Sequence, residues 1–168
     1  MKVIEDYTGI GGGSHIPELL IIHAMAEYIK VEKSFKVGDK VFNKGTYHAH
    51  KWLQMLGLSA HFLQNPDGSF IKQRSTKEIC WHAKGFNAGS IGIEILVAGV
   101  YTYEEFLKKI KTDWVTPDQY KELILMSQGI IDYFKIKKIK RHSDLSPGRK
   151  YDPGSGFKWD WFKQQLTY

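Results

Sequence analysis

The chain has 168 residues, of which 42% are hydrophobic and 25% charged, and it carries a formal charge of +6. That length fills one domain with a substantial core and leaves too little for two, and a composition with 5 Trp, 9 Tyr and 9 Phe excludes a disordered or low-complexity chain. The positive balance favours an anionic partner, whether nucleic acid, a lipid surface or an acidic cell-wall polymer, without choosing among them.

The start, Met1-Lys2-Val3-Ile4-Glu5-Asp6, lacks the charged and apolar regions of a secretory signal, and no apolar run approaches the length of a membrane span. Synthesis in a cytoplasm, without a signal peptide, is expected. Leu19-Leu20-Ile21-Ile22-His23-Ala24-Met25 is a nearly unbroken apolar run, which predicts a strand buried on both faces of a sheet, with His23 its odd polar member. From Thr46 to Leu56 the apolar spacing predicts a helix that ends at Gly57. Ala60-His61-Phe62-Leu63, the turn Asn65-Pro66-Asp67-Gly68 and Ser69-Phe70-Ile71-Lys72 predict a hairpin.

Cys80 is the single cysteine, so a disulfide framework and cysteine-rich zinc motifs are excluded; a metal would have to be held by His and Asp or Glu. After the irregular Trp81-His82-Ala83-Lys84-Gly85, the stretch Ser90 to Val97 predicts a second buried strand, with the carboxylate of Glu94 inside it. Thr116-Pro117-Asp118-Gln119 has the form of a capping box with proline at the first helical position, opening a helix that runs to about Phe134. Phe134 to Arg141 then predicts a strand that delivers His142, and Trp159 to Phe162 a short closing helix. Strands alternating with helices imply an α/β class, one domain built on a central mixed sheet flanked by helices.

The segment from Arg141 to Gly154 carries a histidine, two acids and a lysine between two prolines. Pro147 and Pro153 fix their own φ and push Ser146 and Asp152 towards extended conformations, and in an extended segment Lys150 and Asp152 face one way, Arg149 and Tyr151 the other. His23, Glu94 and His142 each place an ionisable group in or at the end of a predicted strand, and strand ends of open α/β sheets commonly bind ligands. Two histidines with a carboxylate such as Asp152 would suit a catalytic zinc site with one open position. A buried carboxylate like Glu94 needs a counter-ion, a hydrogen-bond network or a catalytic task, because desolvating it alone is costly.

Taken in order, several pieces resemble the zinc-dependent N-acetylmuramoyl-L-alanine amidases, the family shared by phage endolysins, bacterial muropeptide amidases and peptidoglycan recognition proteins. They are Leu20-Ile21-Ile22-His23; Leu58-Ser59-Ala60-His61-Phe62 followed by Asp67-Gly68; Ile79-Cys80-Trp81-His82-Ala83-Lys84-Gly85; Asn87 with Ser90-Ile91-Gly92-Ile93-Glu94; and His142 to Gly154. They span about residues 17 to 162. The resemblance implies that His23, His142 and Asp152 bind Zn2+ in a groove at the strand ends, that Glu94 assists the attacking water, and that Lys150 stabilises an oxyanion. Ala60 stands where many members carry a tyrosine, which leaves Glu94 as the stronger candidate for orienting water.

His61 and His82 are expected to line or support the groove, either touching substrate or only fixing a loop, and Trp81 either to wall the cleft or, as an aromatic there more often does, to lie in the core. His48 and His50 suggest a second metal cluster but suit a groove edge better, and Asp144 suits a brace within its loop. The basic run Lys135 to Arg141 reads either as a solvated strand edge or as a surface drawn to an anionic wall.

The family implies an amidase of bacterial peptidoglycan or muropeptides: a phage endolysin, with a cytosolic muropeptide-recycling enzyme and a noncatalytic peptidoglycan-binding module as alternatives. One catalytic domain over 1–168, without a separate wall-binding domain, is expected, and a monomer. Nucleic-acid binding has only the charge in its favour.

Overall fold

Hydrophobic alternation along two long strands organises the sheet. The computed structural model describes all residues 1–168. Its strands are β1 (Val3–Glu5), β2 (Gly12–Ser14), β3 (Leu19–Val31), β4 (Phe35–Val37), β5 (Lys40–Phe42), β6 (Gly45–His48), β7 (Phe62–Gln64), β8 (Phe70–Lys72), β9 (Glu78–Ile79), β10 (Ser90–Tyr101) and β11 (Lys138–Arg141). Its α-helices are α1 (Ala49–Leu56), α2 (Tyr103–Lys109), α3 (Pro117–Phe134), α4 (His142–Leu145) and α5 (Trp159–Gln164).

The main sheet runs β1-β8-β7-β10-β3-β11, with β6 paired antiparallel to the far part of β3. β10 lies parallel to both β3 and β7, and β11 parallel to β3, whereas β7 and β8 form the expected antiparallel hairpin. The sheet is therefore mixed. Because successive residues of a strand point to opposite faces, Leu20, Ile22, Ala24 and Ala26 of β3 join Ile91, Ile93, Ile95 and Val97 of β10 on one face. There they pack against Leu123, Met126 and Ile130 of α3, Phe106 of α2 and Phe162 of α5. On the other face Leu63 and Leu96 pack against Ala49 and Leu53 of α1. Helices cover both faces, as expected, and a leucine at the fully buried position 123 trimmed to alanine would cost about 2–5 kcal/mol.

Some boundaries differ from the sequence reading. The predicted helix over 46–56 loses its first turn to β6, where Thr46 and Tyr47 pair with Lys30 and Ile29. A β-branched and an aromatic residue suit a sheet position better than a helix start. The helix begins only at Ala49, with His48 as its cap, and Gly57 closes it at φ 75° as expected. The predicted strand over 134–141 shrinks to β11, because the chain leaves α3 through Lys135 in the left-handed region, φ 57°. β3 and β10 each run well beyond their apolar cores. β1, β2, the β4–β5 hairpin, β9 and α2 were not anticipated, although Thr102 and Glu105 form a capping box of the same kind as the one that marks α3.

One edge of β3 is only partly paired. β11 pairs with Leu19 to Ile22 and β6 with Tyr28 to Val31, so no strand pairs with that edge between Ile22 and Tyr28. The loop after α4 brings Asp152 to His23 within this unpaired stretch.

The capping box of α3 has a long-range anchor. The Thr116 hydroxyl accepts from the Gln119 N–H at 3.0 Å and donates to the Pro66 carbonyl at 2.8 Å, tying the helix to the hairpin turn. Thr116→Ala is expected to lower unfolding stability by about 1–2 kcal/mol; urea denaturation followed by circular dichroism measures it, and an unchanged midpoint would contradict this account of the cap.

Candidate metal centre

Strand register brings the ionisable groups together. In the parallel pair β10–β3, Glu94 lies beside His23, and in the pair β11–β3, Arg141 lies beside Ile22, so the next residue, His142, is delivered next to His23. His23 and Glu94 lie within their strands, so the groups gather on the face of the sheet, and only β11 ends there. Backbone contacts complete the set: the Ser143 N–H donates to the Asp152 carbonyl at 3.0 Å, which draws the end of the loop back to the start of α4.

The loop is more turned than extended. Arg149 and Lys150 both return N–H bonds to the Ser146 carbonyl, while Pro147 keeps Ser146 out of the helical region at φ −138°. Lys150 and Asp152 face the same cavity, as expected; Tyr151, expected on the opposite side, also reaches its rim. Asp144 is a brace: it accepts from the Arg141 N–H at 3.1 Å and from the Arg141 guanidinium at 2.8 Å.

Three acceptor atoms converge. His23 Nδ1 and His142 Nδ1 are 2.9 Å apart, and Asp152 Oδ2 lies 3.0 Å from His142 Nδ1 and 3.4 Å from His23 Nδ1. All three residues are buried. A tetrahedral zinc with bonds of about 2.0–2.1 Å has ligand atoms about 3.3–3.4 Å apart, so a small adjustment suits these residues to the metal. Glu94 Oε1 stands 3.7 Å from His23 Nδ1, and Glu94 Oε2 is buried without a hydrogen-bond partner.

Burial sets the electrostatics. Desolvation pushes the Glu94 carboxyl up to about 8, with the nearby Asp152 charge adding to it and Lys150 opposing it. Desolvation also lowers His23 to about 4, so its ring is neutral and its lone pair available as a ligand. Burial raises the Asp152 carboxyl too, yet the His142 and His23 rings beside its Oδ2 outweigh it and hold the group below the usual carboxylate range. One acid is thus kept ionised while its neighbour tends to keep a proton.

A cavity of about 370 Å³ opens beside these residues, lined by Glu94, His142, Lys150 and Asp152 together with Trp52, Leu58, Trp81 and Tyr103. Trp81 is 45% exposed and lines it rather than lying in the core. His82 also lines it, but its ring nitrogens are engaged within the protein, with His23 Nε2 at 3.0 Å and Ser90 Oγ at 3.2 Å. Of the two roles open to His61, touching substrate or only fixing a loop, its contacts fit the second. His61 is fully buried, its Nδ1 accepting the Gly92 N–H at 3.0 Å and its Nε2 meeting the Glu78 carbonyl at 2.9 Å, so both nitrogens are spent on backbone.

The remaining candidates are structural. His48 caps α1 by accepting the His50 N–H, and His50 bonds Gln73 and Gln54, so the two rings do not converge on a common point. Cys80 is buried and its thiol is pushed up to about 12 by desolvation, which leaves it inert. Lys138 and Lys140 are exposed on the edge strand β11, while Ile136 and Ile139 turn inward. No helix is long and apolar enough to cross a membrane. The sequence reading missed Trp52, Leu58 and Tyr103 as cavity walls, and the contact of His82 with His23. Gly92 inside an otherwise bulky strand was a legible sign of the latter, since such a glycine often marks close approach.

The family model described as N-acetylmuramoyl-L-alanine amidase matches residues 13–155. The 1,6-anhydro-N-acetylmuramyl-L-alanine amidase AmpD of Enterobacter cloacae is 32% identical over 122 residues, 67% of this chain and 59% of that protein. The chain thus spans well under two thirds of that relative's length. The endolysin of Enterobacteria phage T3 is 28% identical over 118 residues, 70% of this chain and 73% of that protein. The solved structure of the N-acetylmuramoyl-L-alanine amidase LysC from Clostridium intestinale URNW superimposes with a TM-score of 0.68 at 20% identity, covering 99% of both chains, which shows a shared fold.

The buried His61 makes stability depend on pH. Desolvation lowers it from 6.5 to about 3 in the folded protein, so on acidification the unfolded chain takes up the proton first. Stability is complete above about pH 6.5 and is lost as pH falls towards about 3, on the order of 3–5 kcal/mol for this one group. His61→Asn, whose Oδ1 can still accept the Gly92 N–H, is expected to flatten this part of the slope in thermal unfolding measured from pH 7 to 4 with a chelator present; an unaltered slope would contradict the assignment.

Proposed function

The chain belongs to the N-acetylmuramoyl-L-alanine amidase family, and from that premise we propose that it is a zinc-dependent hydrolase of the amide between N-acetylmuramic acid and L-alanine in bacterial peptidoglycan. The observation that carries this reading is the convergence of His23, His142 and Asp152 beside Glu94 and the cavity. Zinc held by these three residues would supply a Lewis acid for the scissile carbonyl and for the attacking water.

The chain's own groups do the rest. Asp152, kept ionised, the neutral ring of His23 and the ring of His142 would hold the metal. Burial raises Glu94 to about 8, and the charge of a bound cation would favour its ionised form; ionised, it takes a proton from water as the water oxygen bonds to the carbonyl carbon, then returns it to the alanine nitrogen as the C–N bond breaks. Lys150, which lines the same cavity, holds the developing oxyanion. Apolar walls at Trp52, Leu58 and Trp81 exclude water and seat the substrate.

As its biological role we favour a bacteriolytic endolysin acting on the intact wall, supported by the match over 73% of the phage T3 protein. A muropeptide-recycling amidase is the second reading, favoured by the 32% identity to AmpD. The two divide on whether the groove takes long glycan strands or only soluble anhydro-muropeptides.

The folded, zinc-loaded protein is expected to release new L-alanine amino termini from purified wall, to lose this activity to a chelator and to regain it with zinc. Absence of release would end the proposal, and comparing intact sacculi with soluble muropeptides separates the two roles. Glu94→Gln is expected to lower kcat by about 10²–10⁴ while zinc binding persists. A Glu94→Gln enzyme with undiminished kcat would remove Glu94 from proton transfer.

A further inference from the structure

The hydrogen bonds behind His23 have a direction that can be read from their far end. The Ser90 hydroxyl has one proton, and it goes to the Phe86 carbonyl at 2.7 Å. Towards His82 Nε2, at 3.2 Å, Ser90 therefore accepts, which places the His82 proton on Nε2 and leaves its Nδ1 bare. That bare Nδ1 faces His23 Nε2 at 3.0 Å, so His23 donates there and carries its proton on Nε2. The His23 Nδ1 is left as a lone pair, and it is this atom that faces His142 Nδ1 and Asp152 Oδ2.

The chain is built to keep His82 in this place. Asn87 Oδ1 accepts both the His82 N–H at 3.1 Å and the Ala83 N–H at 2.7 Å, which locks the loop that carries the ring. The ring lies against β10 over Gly92, where a Cβ would come within 2.7 Å of its Cγ and Cε1 and closer still to its Nδ1. Ser90 and Gly92 share one face of β10 with Glu94, so the residues that seat His82 and the proposed proton carrier belong to one alternating row. His142 has no such support, since its Nε2 is buried without a partner. The aim of the ligand set thus falls on His23.

We infer that His82, itself no metal ligand, is a positioning residue: backed by Ser90 and admitted by Gly92, it fixes His23 in the tautomer and orientation that present Nδ1 to the metal. The inference rests on the reading of His23 as a zinc ligand. Outer partners of ligating histidines commonly contribute 10–100-fold to metal affinity. His82 has the geometry of such a partner, with an imidazole where a carboxylate or carbonyl is usual.

The test measures zinc dissociation constants by chelator competition for the wild type, His82→Ala, His82→Gln, Ser90→Ala and Gly92→Ala. Long-range nitrogen–proton NMR of the imidazoles reads the His23 tautomer alongside. His82→Ala and Gly92→Ala are expected to weaken zinc binding about 10–100-fold, and His82→Gln, whose amide can both accept from His23 and donate to Ser90, to recover most of it. Wild-type His23 should show its proton on Nε2, and Ser90→Ala, which keeps the ring and its packing, should blur that preference and weaken zinc modestly.

A merely structural role for His82 would lower the melting temperature of the metal-free protein and leave zinc affinity and the tautomer unchanged. That result overturns the inference, as does a His23 that binds zinc through Nε2. If His82→Ala does not fold, Ser90→Ala and His82→Gln decide by the same readouts. A wild-type protein that binds no zinc would remove the metal-centre reading itself, and the inference with it.

Discussion

Packing His23, His61, His82 and His142 with two carboxylates against one face of a sheet is the constraint around which the rest of the chain is arranged. Charged imidazoles there would face a large desolvation cost, and the lowered values of His23, His61 and His82 express it. Neutral rings solve that problem only if each nitrogen is matched by the right partner. His61 is matched to backbone on both sides, His82 to Ser90 and His23, and His23 to His82 and the ligand cluster. The cluster holds one ionised acid, Asp152, and a second, Glu94, whose charge is disfavoured by the same burial and by that neighbour.

Strand register then decides which groups can meet. A parallel pairing one residue out of step would turn Glu94 or His23 to the opposite face, into the core formed by Leu123, Met126 and Ile130. The register is fixed by that core: Ile91, Ile93 and Ile95 must face α3, and the placement of Glu94 results from the alternation. The stretch of β3 between its partners β11 and β6 is equally necessary, because it leaves the edge beside His23 open to the loop that carries Asp152 and Lys150.

How much of this was legible in the sequence depends on the range of each signal. Apolar runs and a capping box are local, so β3, β10 and α3 could be read, and His23 and Glu94 stood out because a polar residue interrupts an apolar pattern. His142, ending a predicted strand, and Asp152 could be grouped with them only loosely, since residues 119 apart in sequence carry no spacing signal, and the family resemblance made the set specific. His61 and His82 looked alike from the sequence, each a histidine near the ordered motifs. The sheet separates them: one is spent on the backbone of Gly92 and Glu78, the other faces His23. The early strands and the β4–β5 hairpin were missed because three-residue segments such as Val3–Glu5 and Phe35–Val37 hold too little pattern to exceed a turn or loop.

The apolar cavity bears on the chemistry as much as on recognition. Walls of Trp52, Leu58, Trp81 and Tyr103 lower the local dielectric, so the charge of Lys150 is felt further than it would be in water. Its influence is visible already: it opposes the rise of Glu94 and helps to lower His23. The desolvation that keeps Glu94 ready to hold a proton is thus also what lets one lysine lining the cavity act on a developing oxyanion, and neither effect would survive if the walls were replaced by open solvent.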